Sequence, residues 1–332
     1  MNTNTFIDGK LMMVHVRFWG ARVETESKDF GIEKVASAFK LGHKMLIPEE
    51  VIGKFRSIEN KARRTVEENS FPFPIGNANF VPLKKFTKVL ETLKACSTEY
   101  DTLTQDLVDN YEVYKAQMIP VYREAAEDAY LRQSPSTEVF SIEGKEADRE
   151  TFVQAYIDRI KAFCPSVEKI KERFSMSWDI FEIALPELHQ GDGNKIALDQ
   201  MEFEEAQKQM REKVSGWVND VVGALRSETL ELCKRITTNI TEGKVIKGRT
   251  LNSLRSFIEK FNDMNFVGDK TIEAQLTALK KDFLDVHTPE EILKVDLQNE
   301  LKRRLGELAE VAGSMTDIST ITGEYRRKIA WE

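Results

Sequence analysis

Histidine and cysteine are scarce in this sequence, with four of the one and three of the other among 332 residues. His15, His43, His189 and His287 stand apart, and none has a second histidine or a cysteine at the spacing of a metal-ligand pair, so no metal site is expected. Cys96, Cys164 and Cys233 are far from one another and each sits among apolar residues at helical spacing. They read as buried, reduced thiols acting as small hydrophobes, which points to a reducing compartment. A run of about 18 apolar residues, the minimum for a membrane-spanning helix, is absent, and the opening Met1-Asn2-Thr3-Asn4-Thr5 lacks the basic-then-apolar pattern of a secretory signal. A cytoplasmic chain with no membrane partner is the expectation. Excess charge of one sign is missing too. Lys and Arg number 48 against 55 Asp and Glu, a net charge of -7, so no global field draws the chain to nucleic acid and any such contact would be local.

What is present is helical periodicity. Hydrophobic residues make up 41% and charged residues 31%, ordinary for helices with much solvent-facing surface. The fold class expected is mainly α: an elongated helical bundle with two long antiparallel amphipathic helices and a small N-terminal β element. Residues 1–82 form an N-terminal α/β cap, 83–242 the long-helix bundle and 243–332 a C-terminal helical region. In the cap, Val14, Val16 and Phe18 alternate with His15, Arg17 and Trp19, the period of a strand, which pairs with a piece near residues 44–47. Pro48-Glu49-Glu50 opens a helix with the stripe Val51, Phe55, Ile58, Ala62 and Val66. Residues 71–82, with three prolines and three phenylalanines, read as an extended but pinned connector.

The first rod runs from residue 83 to about 133 on Phe86, Leu90, Leu93, Cys96, Tyr100, Leu103, Leu107, Tyr111, Tyr114, Met118, Val121, Ala125 and Ala129, with a kink expected at Pro120. Ser134-Pro135-Ser136 ends it, and a short loop or hairpin with Val139, Phe140 and Ile142 follows. A helix over 148–163 and a further helical stretch over 166–183, through Ile170, Phe174, Trp178 and Phe181, precede Pro186 and a turn at Gly191-Asp192-Gly193-Asn194. The second rod spans about 198–240 on Phe203, Ala206, Met210, Val214, Trp217, Val221, Leu225, Leu232, Ile236 and Ile240. Neither stripe can be buried alone, so the rods are expected to pack together. Three shorter helices close the chain, opened by Thr250, by Asp269 and by Thr288-Pro289-Glu290-Glu291.

No residues present themselves as catalytic. The nucleophile motif Gly-x-Ser-x-Gly is missing, and no carboxylate pair can be singled out. Residues 243–250, Gly243-Lys244-Val245-Ile246-Lys247-Gly248-Arg249-Thr250, have the spacing of a phosphate-binding loop, but Arg249 stands where lysine belongs and a long helix, not a strand, leads into them. A basic turn between helices is the better reading. Lys61, Arg63 and Arg64 lie within about one helical turn and form either an anion- or partner-binding patch or a solvated face balanced by Glu59, Glu67 and Glu68. Trp19 and Arg22, at a strand end beside Gly20, either anchor a partner or plug the sheet.

The run Phe18-Trp19-Gly20-Ala21-Arg22, the cluster Lys61-Ala62-Arg63-Arg64 followed by Phe73, Gly76 and Phe80-Val81-Pro82, and the segment from Phe174 to Phe181 before Pro186 together give a resemblance. Over most of the first 240 residues the chain resembles an uncharacterised family of bacteria and bacteriophages. Members of that family look like companions of MoxR-type AAA+ ATPases and von Willebrand factor A proteins. The resemblance implies an adaptor or substrate of a remodelling machine, and no catalytic residues come with it. A non-enzymatic structural or interaction protein, acting through self-assembly as a homo-oligomer or on an AAA+ ATPase and needing no cofactor, is therefore the expectation. A nucleic-acid-binding accessory factor using the basic patches, and a membrane-active helical protein, are the alternatives.

Overall fold

A computed structural model describes the chain except for residues 1–7, 31–35, 37–39, 75, 134–140, 143–144, 147, 183–192, 245, 247, 293, 315–317, 319 and 324–332. In chain order the first elements are β1 (Gly9–Arg17), β2 (Arg22–Glu24), a 3-10 turn (Ser27–Phe30), β3 (His43–Met45), α1 (Glu49–Glu67), β4 (Phe71–Pro72) and β5 (Asn79–Pro82). Then come α2 (Leu83–Asp109), α3 (Tyr111–Gln133), the short pair β6 (Ser141–Ile142) and β7 (Lys145–Glu146), α4 (Arg149–Ala162), α5 (Val167–Lys171) and β8 (Ser175–Phe181). The chain closes with α6 (Gly193–Thr241), α7 (Gly248–Met264), α8 (Lys270–Leu279), α9 (Pro289–Ile292) and α10 (Val295–Gly313). It is mainly helical, with a small antiparallel sheet that takes in the N-terminal strand. Two compact units form, Met1–Met13 with Thr65–Leu90 and Asp179–Glu332, and Val14–Arg64 with Glu91–Trp178.

In the first of these units β1 pairs antiparallel with β5, Gly9 opposite Pro82 and Leu11 opposite Phe80, and β4 flanks β5. The supposed connector thus supplies two strands. Its aromatic side chains explain the pinning: Phe80 packs 5.1 Å from the Trp217 ring and 4.6 Å from Phe266, while Phe73 meets Trp217 edge-on at 5.1 Å. Trp217 Nε1–H, which would otherwise be a buried donor without an acceptor, donates to the Pro72 carbonyl at 2.7 Å. The helix α6 lies against α10, and its buried face takes in Val218, Val222 and Cys233 beside the expected stripe. That wider face also places Arg226 at 0% exposure, a charge the periodicity alone does not reveal. Its guanidinium donates to Asp269 Oδ2 at 2.6 Å and to the Ser314 carbonyl at 2.5 Å. Asp269 meanwhile caps α8 by accepting from the Ile272 amide.

The other unit is built on α1, whose expected stripe is buried at Val51, Phe55, Ile58 and Ala62, the positions that belong to this unit. Phe55 meets Phe18 at 6.3 Å, Tyr100 at 5.3 Å and Phe174 at 4.7 Å. β2 pairs with β3, so the expected pairing near residue 44 is made by residues 22–24, not by β1. α3 packs on α4 and on the 3-10 turn.

Several expectations change. The first rod is interrupted at Asn110, where the side-chain amide donates to the Asp106 carbonyl at 3.1 Å and to its carboxylate at 2.9 Å, while Pro120 sits inside α3 without ending it. Beyond Tyr111 the buried positions are Tyr122, Ala126 and Ala129, and Val121 is exposed. Helix over 166–183 is a misreading: α5 stops at Lys171 and β8 begins at Ser175. Ser-Met-Ser-Trp-Asp alternates with period two, and half-buried Met176 and Trp178 alternate with exposed serines and Asp179. Thr250 does not open its helix, since α7 starts at Gly248, and the last expected helix is divided into α9 and α10. His189, Val139, Phe140, Pro186, the Ser134-Pro135-Ser136 stop and the turn residues Gly191 and Asp192 lie outside the described residues, as does the side chain of Phe203.

Candidate functional site

β1 ends at Arg17, and residues 18–21 carry the chain to β2 through a left-handed Ala21, φ +50°. An alanine in that conformation costs roughly 1–2 kcal/mol. The bend is held by the Ala21 carbonyl, which accepts from the Leu46 amide at 2.7 Å, and by complete burial of the Ala21 methyl. Phe18 stacks on Phe55, and Trp19 packs edge-on against Tyr111 at 6.1 Å. The Arg22 side chain runs beside Gly20, its Nε 3.5 Å from where a Cβ would stand, an ordinary contact distance.

This bend and α5 form the walls of a cleft of about 700 Å³ lined by Arg17, Phe18, Trp19, Gly20, Lys169, Glu172 and Arg173. The Arg17 guanidinium donates to the Glu172 carbonyl at 2.6 Å, and the Arg17 carbonyl accepts from the Tyr100 hydroxyl at 2.6 Å. Burial raises that hydroxyl well above its ordinary value, so it remains a donor. The strand end is thus pinned from beneath while its cation faces solvent. Lys169 and Arg173 are exposed, and neither forms an ion pair with a carboxylate among the described residues.

A second, smaller cavity of about 280 Å³ is lined by residues of the 3-10 turn, β3, α3 and α4, including Asp29, His43, Lys44, Tyr122, Arg132 and Tyr156. At its base Asp29, 4% exposed, binds Arg159 at 2.5 Å and Lys44 at 2.7 Å and accepts from the Glu26 amide at 2.8 Å. Tyr156 donates to the Asp29 carbonyl and Tyr122 to that of Met45. With the carboxylate fully engaged, the cluster ties the 3-10 turn and β3 to α4. Nothing in the sequence's local pattern singles out Asp29; only its three-dimensional partners do.

Of the residues singled out from the sequence, Trp19 lines the larger cleft and Arg22 lies beside one of its lining residues. Lys61, Arg63 and Arg64 do not line it. Lys61 instead binds Glu99 at 3.2 Å and Arg63 binds Glu59 at 2.9 Å, the balance by Glu59 that a solvated face would show. Residues 243–250 follow α6 and enter α7, with Ile246 buried in the core, as expected of a turn between helices. Cys96 and Cys233 are buried and Cys164 half-buried, all as free thiols. Among the described residues no group of histidine, cysteine and carboxylate side chains gathers into a metal-binding set, and no helix is long and apolar enough to cross a membrane.

A family model described as a protein of unknown function, DUF3150, matches residues 10–299. The chain belongs to the DUF3150 family. No curated protein and no solved structure matches it. The match takes in every lining residue of the cleft of this DUF3150 protein, from Arg17 to Arg173, and the Asp29 cluster as well. A further polar pair of the DUF3150 chain, Arg226 with Asp269, is closed to solvent and ties α6 to the start of α8.

Proposed function

We propose that this DUF3150 protein is a non-enzymatic interaction protein, an adaptor that docks a protein partner in the cleft beside Trp19. The observation that supports it most is the contrast between polar groups. Lys44, half-buried Arg159 and buried Arg226 are each consumed by a structural carboxylate, whereas Lys169 and Arg173, at a large solvent-facing cleft, are not. Cations held ready at a concave surface, beside a strained bend that fixes its shape, suit recognition of another molecule. The resemblance drawn from the sequence makes a MoxR-type AAA+ ATPase, or a von Willebrand factor A protein beside it, the partner to test first. Long helices with charged outer faces, of which α6 with 49 residues is the longest among the described elements, suit a scaffold that carries such a surface.

The test is affinity purification of the tagged chain from its native host, with mass spectrometry and sizing. Co-purification of an AAA+ ATPase, lost when Lys169 and Arg173 are both replaced by Glu, is the expected result. A lone monomer under conditions that keep complexes intact refutes the adaptor reading.

A further inference from the structure

Resting on that reading, we infer that the occupant of the Trp19 cleft is an acidic peptide segment of the partner, held by its carboxylates against Arg17, Lys169 and Arg173. Three cations and one carboxylate, Glu172, line the cleft, in a chain whose overall charge is -7. The local sign therefore runs against the global one, and the complement it selects is negative. Arg22, exposed and laid over Gly20, adds a fourth cation at the margin. Arg17 is already aimed by its bond to the Glu172 carbonyl, so less side-chain freedom is lost when a carboxylate arrives.

Two other anions fit less well. Single-stranded nucleic acid binds by stacking bases on free aromatic faces along a charged groove. Here the rings of Phe18 and Trp19 are engaged with Phe55 and Tyr111, and Trp19 is 9% exposed. The basic cluster on α1, which a longer nucleic-acid track would need, is neutralised at Lys61 and Arg63 by Glu99 and Glu59. A free phosphate would occupy only a small part of about 700 Å³, a volume in the range of pockets that bury larger ligands. An extended peptide with carboxylates at intervals uses both the volume and the several cations.

The test measures anisotropy of a labelled oligo-glutamate peptide titrated with the full chain, with oligo-lysine, inorganic phosphate and a single-stranded oligonucleotide as separate probes. Binding of oligo-glutamate that weakens with added salt, and falls at least tenfold in the Lys169→Glu/Arg173→Glu variant, is the expected outcome. Both positions are exposed, so the variant should fold, which circular dichroism checks, and Lys169→Gln/Arg173→Gln should give an intermediate loss. No binding of oligo-glutamate by the unaltered chain, or binding indifferent to both variants, overturns the inference. Tighter binding of the oligonucleotide through the same two cations also overturns it. Failure here is separable from failure of the adaptor reading: a host partner that is lost with the variant while oligo-glutamate never binds leaves the adaptor standing and removes only its acidic ligand. Oligo-glutamate binding without any host partner does the reverse.

Discussion

Replacing Arg226 by Met removes a guanidinium that is wholly enclosed and bridges three helical elements. Its Nε lies 2.6 Å from Asp269 Oδ2 and a terminal nitrogen 2.5 Å from the Ser314 carbonyl, so α6 is joined both to the start of α8 and to the end of α10. Met matches much of the aliphatic volume, so packing loss is small and the cost is electrostatic. Asp269 is 2% exposed and retains the Ile272 amide on its other oxygen. Left without its cation it becomes a buried charge without compensation, which costs about 3–5 kcal/mol. Asp269→Asn should cost less than Asp269→Ala, because Asn still caps α8 and a lost cap adds about 1 kcal/mol. In the Arg226→Met/Asp269→Asn double variant neither charge remains. The two losses should therefore fall short of additivity by about 2 kcal/mol, within the range of contacting pairs. Urea unfolding followed by far-UV circular dichroism gives the values, provided that the slope stays constant across the set. A single Arg226→Met loss below about 1 kcal/mol, or strict additivity in the double variant, would refute the claim that this ion pair is a buried structural joint.

Gly9→Ala places a Cβ 2.3 Å from the Phe80 ring, and Phe80 is wedged among Trp217 and Phe266, so overpacking should cost about 1–3 kcal/mol in the same urea experiment. Asp29→Asn strips Lys44 and Arg159 of their shared carboxylate and should destabilise by about 3–5 kcal/mol, whereas Lys61→Ala, which breaks an ion pair between two half-exposed side chains, should stay within about 0.5 kcal/mol. In alkali, burial holds the Cys233 thiol up to about 12 against an ordinary 9.0, and it raises the hydroxyls of Tyr100, Tyr111 and Tyr122 above theirs. A folded-state value above the unfolded one gives stability that is full below the unfolded value and is lost as pH climbs toward the folded one. The unfolding midpoint should therefore fall from about pH 9 upward, and phenolate absorbance of those three tyrosines should appear only with unfolding. A midpoint flat through that interval would contradict it. Thiol titration of the native chain should modify half-buried Cys164 before Cys96 and Cys233.

How much of this could be read from residue order follows from which interactions are local. The stripe of α1 was fully legible, because Val51, Phe55, Ile58, Ala62 and Val66 repeat at helical spacing and all are buried. So was α4, expected over 148–163 and found at Arg149–Ala162. The strand β8 was hidden, because Ile170, Phe174, Trp178 and Phe181 keep helical spacing across a boundary where the real period becomes two. The strands β4 and β5 were hidden by prolines that suit a sheet edge and a strand end as well as a loop.

The site divides in the same way. Trp19 and Arg22 could be suspected from their place beside a glycine at a strand end, but the other wall of the cleft is α5, about 150 residues further along the chain. Lys169 and Arg173 look like any solvated lysine and arginine until the fold sets them opposite Arg17, just as Asp29 looks like a turn residue until Lys44 and Arg159 close on it. A charge cluster that is contiguous in sequence lies on one turn of one helix, where neighbouring carboxylates at i±4 can neutralise it, as Glu59 does for Arg63. A cluster assembled from distant segments escapes that local compensation. The cations of the cleft, Arg17 together with Lys169 and Arg173, are therefore a set that sequence proximity does not reveal, and the Lys169→Glu/Arg173→Glu variant, not one in the Lys61-to-Arg64 run, is the probe of the proposed adaptor role.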